Sequence, residues 1–273
     1  MRAADRRGLG SGLVAIVLLV VYGAPAFWLI VTSLKGDHQV IDAGTLIFTP
    51  SLSAYAAAFD EGVVRAMWTS TQIAVSTTVL VLVLGLPAAY WLARTRSRVV
   101  SAILFALIVL QMVPQTSAVI PLFKVLGSWS LTGHVSGVVL AISAIVLPFA
   151  ILLMRPFFAA VPLELEEAAS VDGASAFVVF TRVVLPLVKN GIVTVGVLVF
   201  VISWGEFIYA INFLFDSSTY PVSAVIARQV SFFSSNWSVL MALSVLTAIP
   251  IVVIFVAAQR RLAEGLSLGA VKG

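Results

Sequence analysis

Residues Val161–Leu187 read VPLELEEAASVDGASAFVVFTRVVLPL and hold four of the twelve acidic residues of the chain. Pro162 suits the first turn of a helix, and the glutamates that follow it suit the positive N-terminal end of that helix. Gly173 can end the helix in a left-handed conformation, and Ser175 can cap a second helix that Pro186 would end. We therefore expect two short helices that present alanines and acids to water.

The chain on both sides of this segment is strongly apolar. Of its 273 residues, 61% are apolar and 10% are charged, and the mean hydropathy is +1.12. An ordinary soluble domain has about 45–50% apolar and about 25% charged residues. So little charge cannot cover a globular surface, and the outer surface is expected to face lipid. This excludes a soluble enzyme, a disordered chain and a nucleic-acid-binding domain.

Charge and residue types narrow the function further. The net charge is +4, but the basic residues lie between apolar runs and form no patch for nucleic acid. The chain has no cysteine and two histidines, His38 and His134, so neither a thiol nucleophile nor a metal site is expected. We predict no catalytic residues.

Six segments are long and apolar enough to cross a bilayer as helices of about 20 residues. They are Gly12–Leu34, Thr69–Ala93, Val99–Leu122, His134–Met154, Gly191–Phe213 and Val239–Ala258. The sequence thus predicts an all-α polytopic membrane protein with one transmembrane domain over residues 1–273. The first segment is taken as a retained span, because it is too long for a signal peptide.

The basic residues predict the orientation of these spans. Twelve of the sixteen lysines and arginines fall on the side that holds both termini and the loop between the fourth and fifth spans. By the positive-inside rule this side is cytoplasmic. Val161–Leu187 therefore belongs to a cytoplasmic loop, 155–190, and residues 259–273 form a cytoplasmic tail. Such a loop is too small to fold alone and suits a groove on a soluble partner, or else it is an interfacial hairpin without a partner.

The segment Glu167–Ala174, EAASVDGA, followed by Leu185–Pro186, resembles the EAA loop of ABC importer permeases. Its Asp-Gly-Ala form is similar to the carbohydrate-importer branch of that family, and especially to the maltose-type second permease. The ending of the tail, Gly269–Gly273 with the sequence GAVKG, resembles the same subunit.

The resemblance implies a type I importer permease fold and a location in the bacterial cytoplasmic membrane. It also implies that separate subunits hydrolyse ATP and conduct the substrate. The EAA loop would dock onto a dimeric cytoplasmic ATPase, which binds ATP and Mg²⁺, while this chain binds no cofactor. A second permease would complete the path for a carbohydrate, delivered by an extracytoplasmic solute-binding protein. The residues that the resemblance places in coupling are Glu167, Ala168, Ala169, Asp172, Gly173, Leu185 and Pro186. The chain has no phosphate-binding loop of its own.

A second group of residues is expected to line the substrate path. Aromatic rings can stack on a sugar, and amides or a carboxylate can bond its hydroxyls. A carboxylate at membrane depth is also expected to face the bundle interior or water. The candidates in the third and fifth spans are Gln111, Gln115, Trp204, Glu206, Phe207, Tyr209 and Asn212. The alternative is that these residues lock helices together or contact the partner permease.

Three other functions compete with this interpretation. A self-sufficient secondary transporter or channel would often show inverted repeats, which the sequence lacks. It would also leave the acidic loop unexplained. A membrane-embedded enzyme would need a nucleophile–base pair or a metal cluster, and the sequence offers neither. An ABC permease for a non-sugar solute stays open as an alternative.

Overall fold

The structure, a computed structural model, describes residues 3–40, 47–230 and 236–270. The regular elements of these residues are all helices, as the sequence predicts. The helices of the first half are α1 (Ala3–Ser33), α2 (Asp37–Val40), α3 (Ser53–Asp60), α4 (Val63–Arg94), α5 (Arg98–Gln111), α6 (Val119–Ser128) and α7 (Val135–Ala159). Those of the second half are α8 (Leu163–Val171), α9 (Ala176–Val178), α10 (Leu185–Leu187), α11 (Lys189–Trp204), α12 (Ile208–Phe213), α13 (Val222–Arg228) and α14 (Trp237–Ala270).

Four helices of the described residues are long and apolar enough to cross a membrane, and the number rises to six if two bent pairs each count as one span. The four continuous spans are Val14–Ser33, Val63–Arg94, Val135–Ala159 and Trp237–Leu262. They confirm the first, second, fourth and sixth predicted spans with small shifts of their ends.

The third predicted span, Val99–Leu122, is wrong as a single helix. Helix α5 ends at Gln111, and the chain turns by 98° before it continues through a short 3₁₀ turn into α6. Pro114 lies at the break with a φ of −58° and a ψ of 132°. A proline has no backbone N–H and disfavours helical geometry in the residue before it, so the helix ends there.

The fifth predicted span, Gly191–Phe213, is also wrong as a single helix. Helix α11 ends at Trp204, and α12 begins only at Ile208. Gly205 is a poor helix former, and Glu206 uses its side chain to accept the Tyr209 N–H at 2.6 Å, which favours a new helix start.

The loop before this span also differs from the prediction at its end. The second helix of the loop starts after Ser175 and includes a π-helical turn at Val179–Val184. It continues past Pro186 to Leu187, and the chain then bends by 79° at Val188 into α11. Pro186 therefore lies inside the last turn and does not end the helix.

The chain divides into two compact units, of which the first holds residues 1–64 and 225–249. Within it, the Ser33 and Tyr55 hydroxyls share a hydrogen bond of 2.7 Å, and the Ser51 N–H donates to the Leu34 carbonyl at 2.8 Å. The buried Lys35 ammonium lies 5.1 Å from the centre of the Trp28 ring. These contacts fold the segment after α1 back onto the end of that helix.

The second unit, residues 65–224 and 250–273, has α7 at its centre. Helix α7 packs against α5, α11 and α12, and most of the face that it turns toward them is buried. Glycines allow the close approach. A Cβ on Gly191 of α11 would lie 2.6 Å from the Phe157 ring of α7. At the start of α7, a Cβ on Gly137 would overlap the carbonyl oxygen of Leu131 in the turn that precedes the helix.

Candidate functional site

Helix α8 of the 155–190 loop ends in a Schellman motif. Gly173 has a φ of 84°, the left-handed conformation that glycine adopts at low cost. The Gly173 N–H donates to the Ser170 carbonyl at 3.1 Å, and the Ala174 N–H donates to the Ala169 carbonyl at 3.0 Å. The predicted helix stop is confirmed, and so is the Ser175 cap, whose hydroxyl accepts the Val178 N–H at 3.5 Å.

The first turn of α8 is held by an ion pair with α4. Glu166 is 7% exposed, and Arg94, the last residue of α4, donates to its Oε1 from Nε at 2.8 Å and from Nη2 as well. The Tyr90 hydroxyl donates to the other oxygen, Oε2, at 2.6 Å. Arg94 Nη2 also donates to the Val161 carbonyl at 3.0 Å. We call these four residues the arginine clamp. It satisfies both oxygens of a buried carboxylate with charged and neutral donors.

Aromatic side chains extend the contact between this loop and the long helices. The Tyr90 ring lies 5.7 Å from the Phe158 ring of α7 and 5.0 Å from the Phe180 ring of the π-helical turn. Arg155 of α7 donates from Nε to the Leu92 carbonyl of α4 at 3.2 Å. Helices α4, α7 and both helices of the loop are therefore cross-linked at one end of the bundle.

Most of the coupling candidates are exposed. Four of them are exposed, namely Glu167, Ala168, Asp172 and Gly173, and Pro186 is exposed as well. Ala169 and Leu185 are half-buried. The clamp occupies one face of α8, whereas Glu167 and Ala168 of the same helix are exposed, and so are Asp172 and Gly173 directly after its end.

The breaks in the third and fifth spans meet in a second cluster, made of Gln115, Glu206, Tyr209 and Ser223. Gln115 Nε2 donates to Glu206 Oε2 at 3.1 Å, and the Tyr209 hydroxyl donates to the Gln115 carbonyl at 3.1 Å. The Ser223 hydroxyl donates to the Glu206 carbonyl. We call these four residues the break cluster. Its carboxylate is buried and faces protein donors.

The other substrate-path candidates fall into two classes. Trp204 is 3% exposed and stacks on Phe200 with ring centres 5.8 Å apart. Gln111 and Asn212 are exposed. The first donates to the Ile145 carbonyl at 3.2 Å, and the second to the Ile208 carbonyl at 2.7 Å. Phe207 is half-buried. The buried candidates thus contact other parts of the chain, and the exposed candidates have surface that a substrate or a partner subunit can contact.

Known proteins show which family has this architecture. A sequence model of the family described as the binding-protein-dependent transport system inner membrane component matches residues 82–268. The chain belongs to that family. It is the membrane-spanning permease subunit of an ABC importer, a multi-pass inner-membrane protein that works with an ATPase and a solute-binding protein.

Relatives of this permease are similar along nearly the whole chain. The sulfoquinovosyl glycerol transport system permease protein SmoH of Agrobacterium fabrum is 30% identical, over 96% of this chain and 93% of its own. The diacetylchitobiose uptake system permease protein DasC of Streptomyces coelicolor is 32% identical, over 95% of both chains. The trehalose transport system permease protein SugB of Mycobacterium tuberculosis is 32% identical, over 91% of this chain and 92% of its own.

A solved structure shows the same fold. A chain of a bacterial ABC transporter involved in the import of the acidic polysaccharide alginate superposes with a TM-score of 0.78 at 20% identity, over 95% of this permease and 98% of that chain. The predicted fold class, an all-α type I importer permease, is confirmed.

The sequence did not single out the residues of the arginine clamp. Three glutamates, Glu164, Glu166 and Glu167, fit the first turn of α8 equally well. In the sequence, Arg94 is one of twelve basic residues that indicate the cytoplasmic side, and nothing marks it as a partner of Glu166. Tyr90 carried no signal, because a tyrosine near the end of an apolar helix is common at a membrane interface.

Proposed function

We propose that this permease forms, together with a second permease subunit, the path by which a carbohydrate or carbohydrate derivative enters the cell. A dimeric ATPase that binds ATP and Mg²⁺ docks onto the 155–190 loop and drives the transport cycle. The observation that carries the proposal is the two-sided character of α8. Its Glu166 side is joined to α4, and its Glu167 side is exposed.

The exposed side of the loop has the chemistry of a docking surface. Val171 is 87% exposed and Phe177 is 74% exposed, although both are apolar. Glu167 and Asp172 are exposed beside them. Acids around small and apolar groups suit a cleft with basic and apolar walls. The occupant we propose is the ATPase subunit, because the family works with one and this sequence carries no phosphate-binding loop.

Orientation follows from this assignment. The 155–190 loop and both termini lie in the cytoplasm, as the distribution of basic residues indicates. The backbone of α14 runs to Ala270, so the helix carries the tail beyond the apolar span. Residues 259–273 then reach toward the ATPase. The last residues of the predicted motif, 271–273, lie outside the described part of the chain.

A carbohydrate substrate is supported by the names of the relatives. Those similar to this permease transport sulfoquinovosyl glycerol, diacetylchitobiose, trehalose and arabinooligosaccharides by their descriptions. Within the path, we place three side chains toward the sugar: the exposed Gln111 and Asn212 and the half-buried Phe207. These three side chains are positioned by the residues behind them, which are Gln115, Trp204, Glu206 and Tyr209.

The docking surface is tested by charge reversal. We expect Glu167→Lys to release the ATPase during purification of the complex, because the reversed charge meets the basic wall of the cleft. Gly173→Val, which forces a β-branched residue into the left-handed turn at the end of α8, has the same expected result. Glu61→Lys is the matched control, since Glu61 is an exposed acid outside the 155–190 loop. Retention of the ATPase and normal uptake in both loop variants would contradict the proposed docking.

The substrate class is tested with the binding protein of the same complex. We expect the purified binding protein, stripped and then exposed to a library of saccharides, amino acids and metal ions, to retain a saccharide. Heat release measured by calorimetry identifies the ligand. Retention of an amino acid or a metal ion in place of every saccharide would replace the carbohydrate assignment with a non-sugar solute.

A further inference from the structure

Glu166 is an unusual residue for the first turn of an otherwise exposed helix. Glu164 and Glu167 on the same turn are exposed, whereas Glu166 is buried and accepts hydrogen bonds from Tyr90 and Arg94. Arg94 presents two nitrogens of its guanidinium to Oε1 of Glu166, and the Tyr90 hydroxyl holds Oε2, so both oxygens of the carboxylate are held by α4. The contact therefore determines both the distance and the direction of α8 relative to α4.

The other attachments of α8 reinforce this contact. Arg94 also bonds the Val161 carbonyl, which lies in the short connection between α7 and α8. Phe180, in the helix that follows α8, contacts the Tyr90 ring. Both helices of the loop thus touch the same turn of α4, at Tyr90 and Arg94. Near the end of the loop, the chain bends by 79° at Val188, where it enters α11.

We propose that the Arg94–Glu166 pair, completed by Tyr90, is the joint through which a displacement of α8 moves α4 during transport. This inference rests on the proposed docking of the ATPase to the 155–190 loop. Arg94 and Glu166 are positioning residues: the pair touches neither substrate nor nucleotide and acts by holding α8 and α4 as one body. Separating it would leave the buried Glu166 carboxylate without its charged partner, so the joint is stiff against small forces.

The proposal predicts uncoupling without loss of the ATPase. Arg94→Ala removes the joint and leaves the exposed face of α8 intact, so the ATPase stays bound and hydrolyses ATP. We expect solute transported per ATP hydrolysed, measured in proteoliposomes of the full complex, to fall at least fivefold. Glu166→Gln keeps the shape of the side chain and removes its charge, so a smaller fall in the same ratio is expected.

Two controls separate this effect from misfolding. Arg96→Ala removes an exposed arginine two residues beyond the joint and should leave the ratio unchanged. Arg94→Glu combined with Glu166→Arg restores an ion pair with reversed sense and should recover part of the ratio that either single change loses. A merely structural role would lower the yield of all clamp variants and leave the ratio of the surviving complex at the wild-type value.

A distance measurement tests the joint directly. The chain has no cysteine, so spin labels can be placed at engineered cysteines alone. Leu163→Cys on α8 and Trp91→Cys on α4 both replace exposed residues outside the docking surface. With the pair intact we expect the same label-to-label distance before and after ATP is trapped on the complex. With Arg94→Ala the distance should change on trapping, because α8 moves and α4 does not follow.

The outcomes distinguish this inference from the proposed docking. Loss of the ATPase from the Arg94→Ala complex would overturn the joint, since the pair would then serve docking. An unchanged transport-to-hydrolysis ratio in Arg94→Ala, or a distance that changes on trapping in the intact protein, would overturn it as well. If the Glu167→Lys complex retains the ATPase and couples transport normally, the docking proposal is wrong. That conclusion does not depend on the results for the clamp variants.

Discussion

The hydrogen bond from Gln115 Nε2 to Glu206 Oε2, 3.1 Å long, joins the break in the third span to the break in the fifth. Each break exposes backbone groups that a continuous helix would satisfy, and a membrane offers no water to replace them. The break cluster supplies part of the missing partners. Glu206 takes the Tyr209 N–H, and the Gln115 carbonyl takes the Tyr209 hydroxyl.

The first prediction concerns that carboxylate. Glu206→Ala removes the acceptor of the buried Tyr209 N–H and of the half-buried Gln115 amide, and an unsatisfied buried donor costs about 1–3 kcal/mol. We expect a lower unfolding temperature of the purified complex in detergent, followed by the fluorescence of its tryptophans. Glu206→Gln keeps one acceptor oxygen and should lower the temperature less. Equal losses in the two variants would show that the bonds to Glu206 contribute little to stability.

The second prediction concerns the contact between α11 and α7. A Cβ added at Gly191 would lie 2.6 Å from the Phe157 ring, whereas one added at Gly196 of the same helix would lie 3.4 Å from Leu82 Cδ1. Overpacking a tight contact costs about 1–3 kcal/mol. Gly191→Ala should therefore lower the unfolding temperature and Gly196→Ala should leave it nearly unchanged. A Gly191→Ala protein as stable as Gly196→Ala would contradict the close packing of the two helices.

The third prediction concerns a bond that reaches α13 from α4. The Ser70 hydroxyl, fully buried, accepts the Val222 N–H at 3.0 Å. Ser70→Ala leaves this N–H without its acceptor at the start of a helix, so the stability should fall by about 1–3 kcal/mol. The neighbouring Thr71 instead donates to a carbonyl of its own helix, that of Met67, at 2.7 Å. Thr71→Ala is the control and should be close to neutral in the same unfolding experiment.

The fourth prediction concerns the backbone of Gly173. Its φ of 84° suits glycine, and a Cβ there would meet no atom within 4 Å. A substitution consequently acts through the backbone conformation. Asparagine tolerates the left-handed region and valine does not. Gly173→Asn should keep ATPase binding near the wild-type level, and Gly173→Val should weaken it, as pull-down with the ATPase measures. Equal binding by the two variants would mean that the left-handed turn is not needed for docking.

The fifth prediction concerns pH. Asp216 accepts the Ser218 N–H at 2.8 Å and the Ser218 hydroxyl at 2.6 Å, and these bonds lower the pKa of the Asp216 carboxyl below its ordinary value of 3.8. Because the folded pKa is lowered, the turn is fully stabilised above that ordinary value and loses its stabilisation as the pH falls through the lowered pKa. Hydrogen exchange at Ser218, corrected for intrinsic rates, should show this loss in the natural protein. Asp216→Asn should show no such step between pH 5 and 2.

Much of the loop could be predicted residue by residue. A left-handed glycine at position 173 and a serine cap at position 175 are local features, and each depends on a few neighbours in sequence. The breaks at Pro114 and Gly205 had local signals as well, since both residues disfavour helices. Hydropathy alone treats a broken span and a continuous one alike, because it averages over about 20 residues.

The sequence by itself determined that the chain is apolar enough for lipid, where its six apolar segments lie and how α8 stops, because composition and local backbone preference suffice for each. Only the tertiary structure decided which glutamate of α8 is buried, that Arg94 binds it, and that Gln115 meets Glu206. Those pairs lie 72 and 91 residues apart in sequence. Helix packing brings the two residues of each pair together, and the residues next to each of them in sequence do not indicate its partner.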